Sequence, residues 1–92
     1  MSQNIQIPYL YTLDGATAQE VNITGARAIS VLSNGGITYI DNGGGQSLSL
    51  PDGATLEMQS DSGNTLSEII VTPDATATAF VVMIGGNGIV TP

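Results

Sequence analysis

Gln46-Ser47-Leu48-Ser49-Leu50-Pro51-Asp52-Gly53-Ala54-Thr55-Leu56-Glu57-Met58-Gln59 is the stretch that decides the fold class. Leucine alternates with serine up to Leu50, the two-residue period of an extended chain with one face inward. Leu48 and Leu50 are expected to point inward, Ser47 and Ser49 outward. Pro51-Asp52-Gly53 then turns the chain, because Pro fixes φ, Asp bonds nearby backbone and Gly accepts a left-handed angle. Beyond the turn, Ala54, Leu56 and Met58 alternate with Thr55, Glu57 and Gln59. The two runs read as a hairpin, or as a corner between two sheets if Pro51 prevents a tight register.

Toward the C-terminus the same grammar repeats. Asp61-Ser62-Gly63-Asn64 signals a loop. Residues 66–72 place Ile69 and Val71 on one face, with Leu66, Glu68 and Ile70 on the other. Pro73-Asp74 turns the chain again. Residues 77–84 predict the central core strand, in which Phe80, Val82 and Ile84 oppose Ala79, Val81 and Met83. Gly85-Gly86-Asn87-Gly88 releases that strand and leaves Ile89-Val90-Thr91-Pro92 as a short strand or docking tail.

Toward the N-terminus, Asp41-Asn42-Gly43-Gly44-Gly45 reads as a loop that ends a strand over residues 36–40. Asn34-Gly35 tolerates positive φ at both residues and predicts an antiparallel hairpin between that strand and residues 27–33. The latter strand has Ile29 and Val31 on one face and Ala28, Ser30 and Leu32 on the other, which suits a central or interface strand. Residues 19–23 form a short alternating run interrupted by Gly25, and Leu13-Asp14-Gly15-Ala16 reads as a turn. Residues 5–12 supply an extended terminal strand. Pro8 lacks an N–H, so this strand is expected at an edge, at a bulge, or as an arm across another subunit.

Threonine alternation and the following Val81-Val82 argue against a helix over residues 75–79. Seven to nine short strands with polar, glycine-rich turns predict an all-β fold. The expected form is a compact antiparallel β-sandwich or small jelly roll, with a partly open barrel as the alternative. Ninety-two residues suffice for one domain, here 1–92. An extended N-terminal arm over 1–12 and a docking tail over 85–92 complete the expected organisation. Asp-Gly-Ala-Thr occurs at 14–17 and again at 52–55, which reads as reuse of one turn solution because the flanking residues differ.

Charge narrows the function. Arg27 is the only basic side chain against eight carboxylates, for a net charge of -7. One arginine cannot build a phosphate-binding surface or an attraction to anionic lipid, so neither nucleic acid nor membrane is an expected partner. The start, Met1-Ser2-Gln3-Asn4, has no basic segment followed by an apolar run and predicts no secretory signal. The chain contains no cysteine and no histidine, hence no disulfide and no structural zinc site is expected. Without those staples, a small domain gains stability from sheet packing or from association with copies of itself.

No residue set suits enzymatic chemistry. Cysteine, histidine and lysine are all missing, which removes the thiol, the neutral-pH base and the amine nucleophile together. Serines are plentiful, but none lies in a Gly-x-Ser-x-Gly elbow. Asp41, Asp52, Glu57, Asp61 and Glu68 could in principle supply paired carboxylates for glycoside hydrolysis. Each falls in a predicted turn or on a solvent face. Asp41/Asn42 and Asp61/Asn64 offer hard oxygen ligands for calcium, but they follow no EF-hand spacing and are also ordinary turn residues. Gly43-Gly44-Gly45 and the 85–88 run lack the helix and lysine of a phosphate loop. The expected protein is therefore not an enzyme and carries no catalytic, metal or cofactor residues.

Contact residues remain. Ile5, Ile7, Tyr9 and Tyr11 on the first strand, with Tyr39 and Arg27, are the candidate protein-contact positions. Tyr9 and Tyr11 share a face when extended, and Arg27 can pair with a carboxylate of another copy or of its own surface.

The Ile/Pro/Tyr arm, the short Ser/Thr strands, Leu48-Ser49-Leu50-Pro51-Asp52-Gly53, the glycine-rich loops and the Ala/Phe/Val/Met strand together resemble small accessory proteins of tailed-bacteriophage virions. Capsid decoration proteins and head-fibre bases are of this kind. The resemblance spans most of the chain in overall texture. It implies a non-enzymatic structural protein of a virus particle that decorates or cements a capsid. It further implies β-rich self-association, frequently trimeric, and a capsid or other virion protein as partner. The alternative reading is a small carbohydrate- or receptor-binding β module at a surface or fibre tip, which predicts a depression lined by Tyr9, Tyr11 or Tyr39.

Overall fold

A computed structural model describes residues 8–42, 45–61 and 63–92. Among the described residues nine strands follow in chain order: β1 Tyr9–Asp14, β2 Glu20–Thr24, β3 Ala28–Asn34, β4 Thr38–Asp41, β5 Ser47–Leu50, β6 Thr55–Gln59, β7 Ile69–Pro73, β8 Thr78–Ile84 and β9 Asn87–Thr91. A 3₁₀ turn, Gly15–Thr17, separates β1 from β2. The strands lie in two antiparallel sheets, one of order β1-β8-β3-β6 and one of order β5-β4-β7-β2-β9. The expected all-β sandwich is present, with two separate sheets in place of a closed barrel.

Every connection except β4–β5 passes from one sheet to the other. The chain thus winds around the core, and sheet neighbours are mostly distant in sequence. This overturns the hairpin expected at Asn34-Gly35. Gly35 does take a positive φ of 87°, but β3 pairs with β6 and β8, while β4 pairs with β5 and β7. The turn is a corner. Its polar groups bind the neighbouring corner at 51–53: the Gly53 N–H donates to Ser33 O at 2.7 Å, and the Gly35 N–H donates to Asp52 Oδ1 at 2.7 Å. Pro51-Asp52-Gly53 is likewise a corner, joining β5 in one sheet to β6 in the other.

The core lies between the sheets and follows the expected period. Val21 and Ile23 of β2, Ile29 and Val31 of β3, Ile69 and Val71 of β7, and Ala79, Val81 and Met83 of β8 are all buried. Each fully buried Val, Leu or Ile is worth about 1.5–3 kcal/mol relative to exposure. Strand β8 is central in its sheet, as its composition predicted, with β1 and β3 on either side.

Several local expectations shift. Leu13 is fully buried within β1, opposite Ala79, so the first turn begins only at Gly15. Strand β7 starts at Ile69 and excludes residues 66–68. Residues 9–12, read as part of an arm, belong to an edge strand paired with β8, and residues 87–91 of the expected tail pair with β2 as β9. The edge placement of β1 agrees with the proline that precedes it. Residues 1–7, including Ile5 and Ile7, lie outside the described residues, as do Gly43, Gly44 and Ser62.

Leu48 is another correction. It shares the inward side of β5 with Leu50 yet is 48% exposed. Strand β5 is an edge, and beside it the two sheets leave a slot of about 240 Å³ whose lining includes Ile40, Gln46, Leu48, Leu56, Met58 and Ile69.

Candidate contact surface

The outer face of the four-stranded sheet is built by the residues that alternate with the core. Register places them in four rows. Thr12, Phe80, Leu32 and Thr55 form the first row, and Leu10, Val82, Ser30 and Glu57 the second. Ile84, Ala28 and Gln59 form the third, and Asp14, Thr78 and Asn34 a polar row at the opposite end. Phe80, Val82 and Ile84 of β8, with Leu10 of β1 and Ala28 and Leu32 of β3, thus turn an apolar patch outward, whereas β6 is polar at all three positions.

Exposure follows from position. Leu10 on the edge strand is 65% exposed, while Leu32 and Ile84 are each 36% exposed. Phe80 and Val82, flanked on both sides, are half-buried. The small side chains of Ala28 and Ser30 sit between Val82 and Ile84 on one side and Glu57 and Gln59 on the other. The result is an open hollow of about 420 Å³. It continues past Ala28, Gln59 and Ile84 into a second hollow lined by Arg27, Ser60 and Asp61.

The outer face of the five-stranded sheet is different. One row reads Ile89, Asn22, Ile70, Asp41 and Ser47, so polar residues interrupt the apolar ones. Asn22 Nδ2 donates to Glu68 Oε2 at 2.8 Å, and Thr72 Oγ1 donates to Glu20 Oε2 at 3.4 Å. Three carboxylates, Glu20, Asp41 and Glu68, therefore belong to this face, against Glu57 in the middle of the opposite one and Asp14 at its corner. Asp14, Asp52, Asp61 and Asp74 lie at strand ends and turns.

The six sequence-predicted contact positions do not converge. Tyr9 and Tyr11 share the side of β1 that carries Leu13, as alternation predicts. Tyr9 is 62% exposed, but Tyr11 packs against the core and its hydroxyl donates to Gly88 O across a long 3.5 Å. Tyr39 stands on the outer face of the other sheet, opposite Thr72 and Ser49. None of the three tyrosines lines the hollows described above. Arg27 is exposed at the start of β3, where its backbone N–H donates to Ile84 O at 2.8 Å. Sequence reasoning singled out the tyrosines and missed Leu10, Leu32 and Ile84. The signal was available: both faces of residues 27–33 and 77–84 are apolar, and a two-layer sandwich can bury only one of them.

Among the described residues no three carboxylates cluster in a way that could hold a metal ion. The calcium candidate at Asp61 and Asn64 is a backbone turn, with the Asn64 N–H donating to Asp61 O at 3.0 Å. No described helix is long and apolar enough to cross a membrane.

No protein-family model and no curated protein matches the sequence. Among solved structures, the chain is similar to a de novo designed double-stranded β-helix determined by solution NMR. The TM-score is 0.54 at 16% identity, over 86% of this chain and 99% of the designed one. The likeness concerns the fold alone.

Proposed function

We propose that this protein is a non-enzymatic structural subunit, an accessory or decorating component of a virus particle, which works through contact made by the outer face of its four-stranded sheet. The observation that carries the reading is the run of Leu10, Leu32, Phe80, Val82 and Ile84 across that face. An antiparallel sheet with one side on the core ordinarily turns a polar face to water, and contiguous exposed apolar surface on a small protein marks a contact site. Here the polar face belongs to the other sheet. The charge of -7 supports solubility of the free subunit until that surface is covered.

The absence of cysteine, histidine and lysine supports a role without chemistry. The virion setting rests on the resemblance of the sequence to phage decoration and head-fibre base proteins. Density-gradient purification of particles, with quantification of this chain against the major capsid protein, tests that setting. A fixed stoichiometry in the particle band is expected. Recovery of the chain only in the soluble fraction would contradict it.

A further inference from the structure

We infer that two copies of this chain pack outer face to outer face about a two-fold axis, with Arg27 of each copy paired to Glu57 of the other. The inference rests on the reading of this face as a contact surface and names its occupant.

The argument starts from charge. In a molecule of net charge -7, a second copy is repelled from most directions. The outer face of the four-stranded sheet is the approach least opposed: Glu57 lies in the middle of its rows, Asp14 only at a far corner, and the chain's single basic side chain stands at its border beside Asp61. Glu57 and Arg27 lie along one continuous trough. Glu57 lines the first hollow and Arg27 the second, and the hollows share Ala28, Gln59 and Ile84.

A two-fold interface is self-complementary: whatever residue i does to j, residue j of the partner does to i. A trough with Glu57 toward one end and Arg27, flanked by Asp61, at the other meets that condition with its own rotated copy, Arg27 being the one group that can receive the partner's Glu57. The axis would pass near Ala28 and Ile84, each guanidinium would meet the partner's Glu57, and the apolar rows would stack between. A neutral or single-signed trough would offer no such registry.

Area sets the strength. Four strands at about 4.8 Å spacing and seven residues at about 3.3 Å rise give a face of roughly 400 Å² per copy. Two such faces bury roughly 800 Å² in total, below the roughly 1,200 Å² at which stable specific interfaces begin, so a weak, reversible dimer is expected. Arginine suits the pairing because its planar fork can bind a carboxylate through two parallel hydrogen bonds.

Sedimentation equilibrium on the full chain, repeated at low and high salt, tests the inference. The wild type should dimerise reversibly. Arg27→Glu and Glu57→Arg alone should each weaken association by about tenfold or more. The double variant carrying both changes should recover dimerisation, and the two single variants mixed should associate with each other better than either does with itself. Arg27→Gln and Glu57→Gln, which delete charge without reversing it, should show smaller losses. All sites are exposed, and circular dichroism verifies that each variant folds. A wild type that stays monomeric overturns the dimer, as does a double variant or mixture that shows no recovery. The proposed virion role is read separately, by particle association of the same variants.

Discussion

The hydroxyl of Thr38 donates to the hydroxyl of Ser33 at 2.8 Å, and both residues are fully buried. Ser33 passes its own hydrogen to Gly36 O at 2.7 Å, which closes a short polar chain across the corner from β3 to β4. Buried hydroxyls are tolerated only when paired, and leaving one unpaired costs about 1–3 kcal/mol. Ser33→Ala strands the Thr38 hydroxyl and should destabilise by that amount in urea titration. The pair Ser33→Ala with Thr38→Val should cost less than the sum of the two single changes. Strict additivity in the double-mutant cycle would show that the hydroxyls do not act as a unit.

The two Asp-Gly-Ala-Thr segments give a second test. Gly15 is buried, and a Cβ there would overlap the Asp74 carbonyl, whereas Gly53 has a φ of 80° with nothing within 4 Å. One glycine provides space and the other provides a left-handed angle. Gly53→Ala should cost about 1–2 kcal/mol, the usual left-handed penalty. Gly15→Ala should cost clearly more, because backbone has to move. Equal losses in thermal melts would contradict this assignment.

Strand β1 is part of the fold from Tyr9 onward. Removal of residues 1–12 deletes four of the six β1 residues, Tyr9, Leu10, Tyr11 and Thr12, and bares the edge of β8. Loss of cooperative unfolding, or a much lower melting temperature, is expected for that deletion. A truncated chain that melts like the full one would mean that β1 is a detachable arm.

Much of the fold was legible because alternation reports burial directly. Val21 and Ile23, Ile29 and Val31, and Ala79, Val81 and Met83 all sit where a two-residue period places them. Partner choice was not legible. Asn34-Gly35 and Pro51-Asp52-Gly53 state that the chain turns, and neither states which sheet it enters next. The reason is physical: Gly35 and Asp52 bond to each other across two corners, a contact that no local propensity contains. The same limit hid the proposed contact surface. Ala28, Ser30 and Glu57 form a hollow only once β3 lies between β6 and β8, a pairing that spans distant segments. The tyrosines drew notice as rare residues, yet Tyr11 is spent on packing beside β9.

Methyl-resolved NMR on the full chain, titrated from about 10 μM to about 1 mM, tests the claim that copies meet through the four-stranded face most directly. The methyls of Leu10, Leu32, Val82 and Ile84 are predicted to shift with concentration, while Val21, Val71 and Ile89 stay fixed. Concentration-independent spectra, or shifts confined to Ile89 and the other sheet, would contradict it.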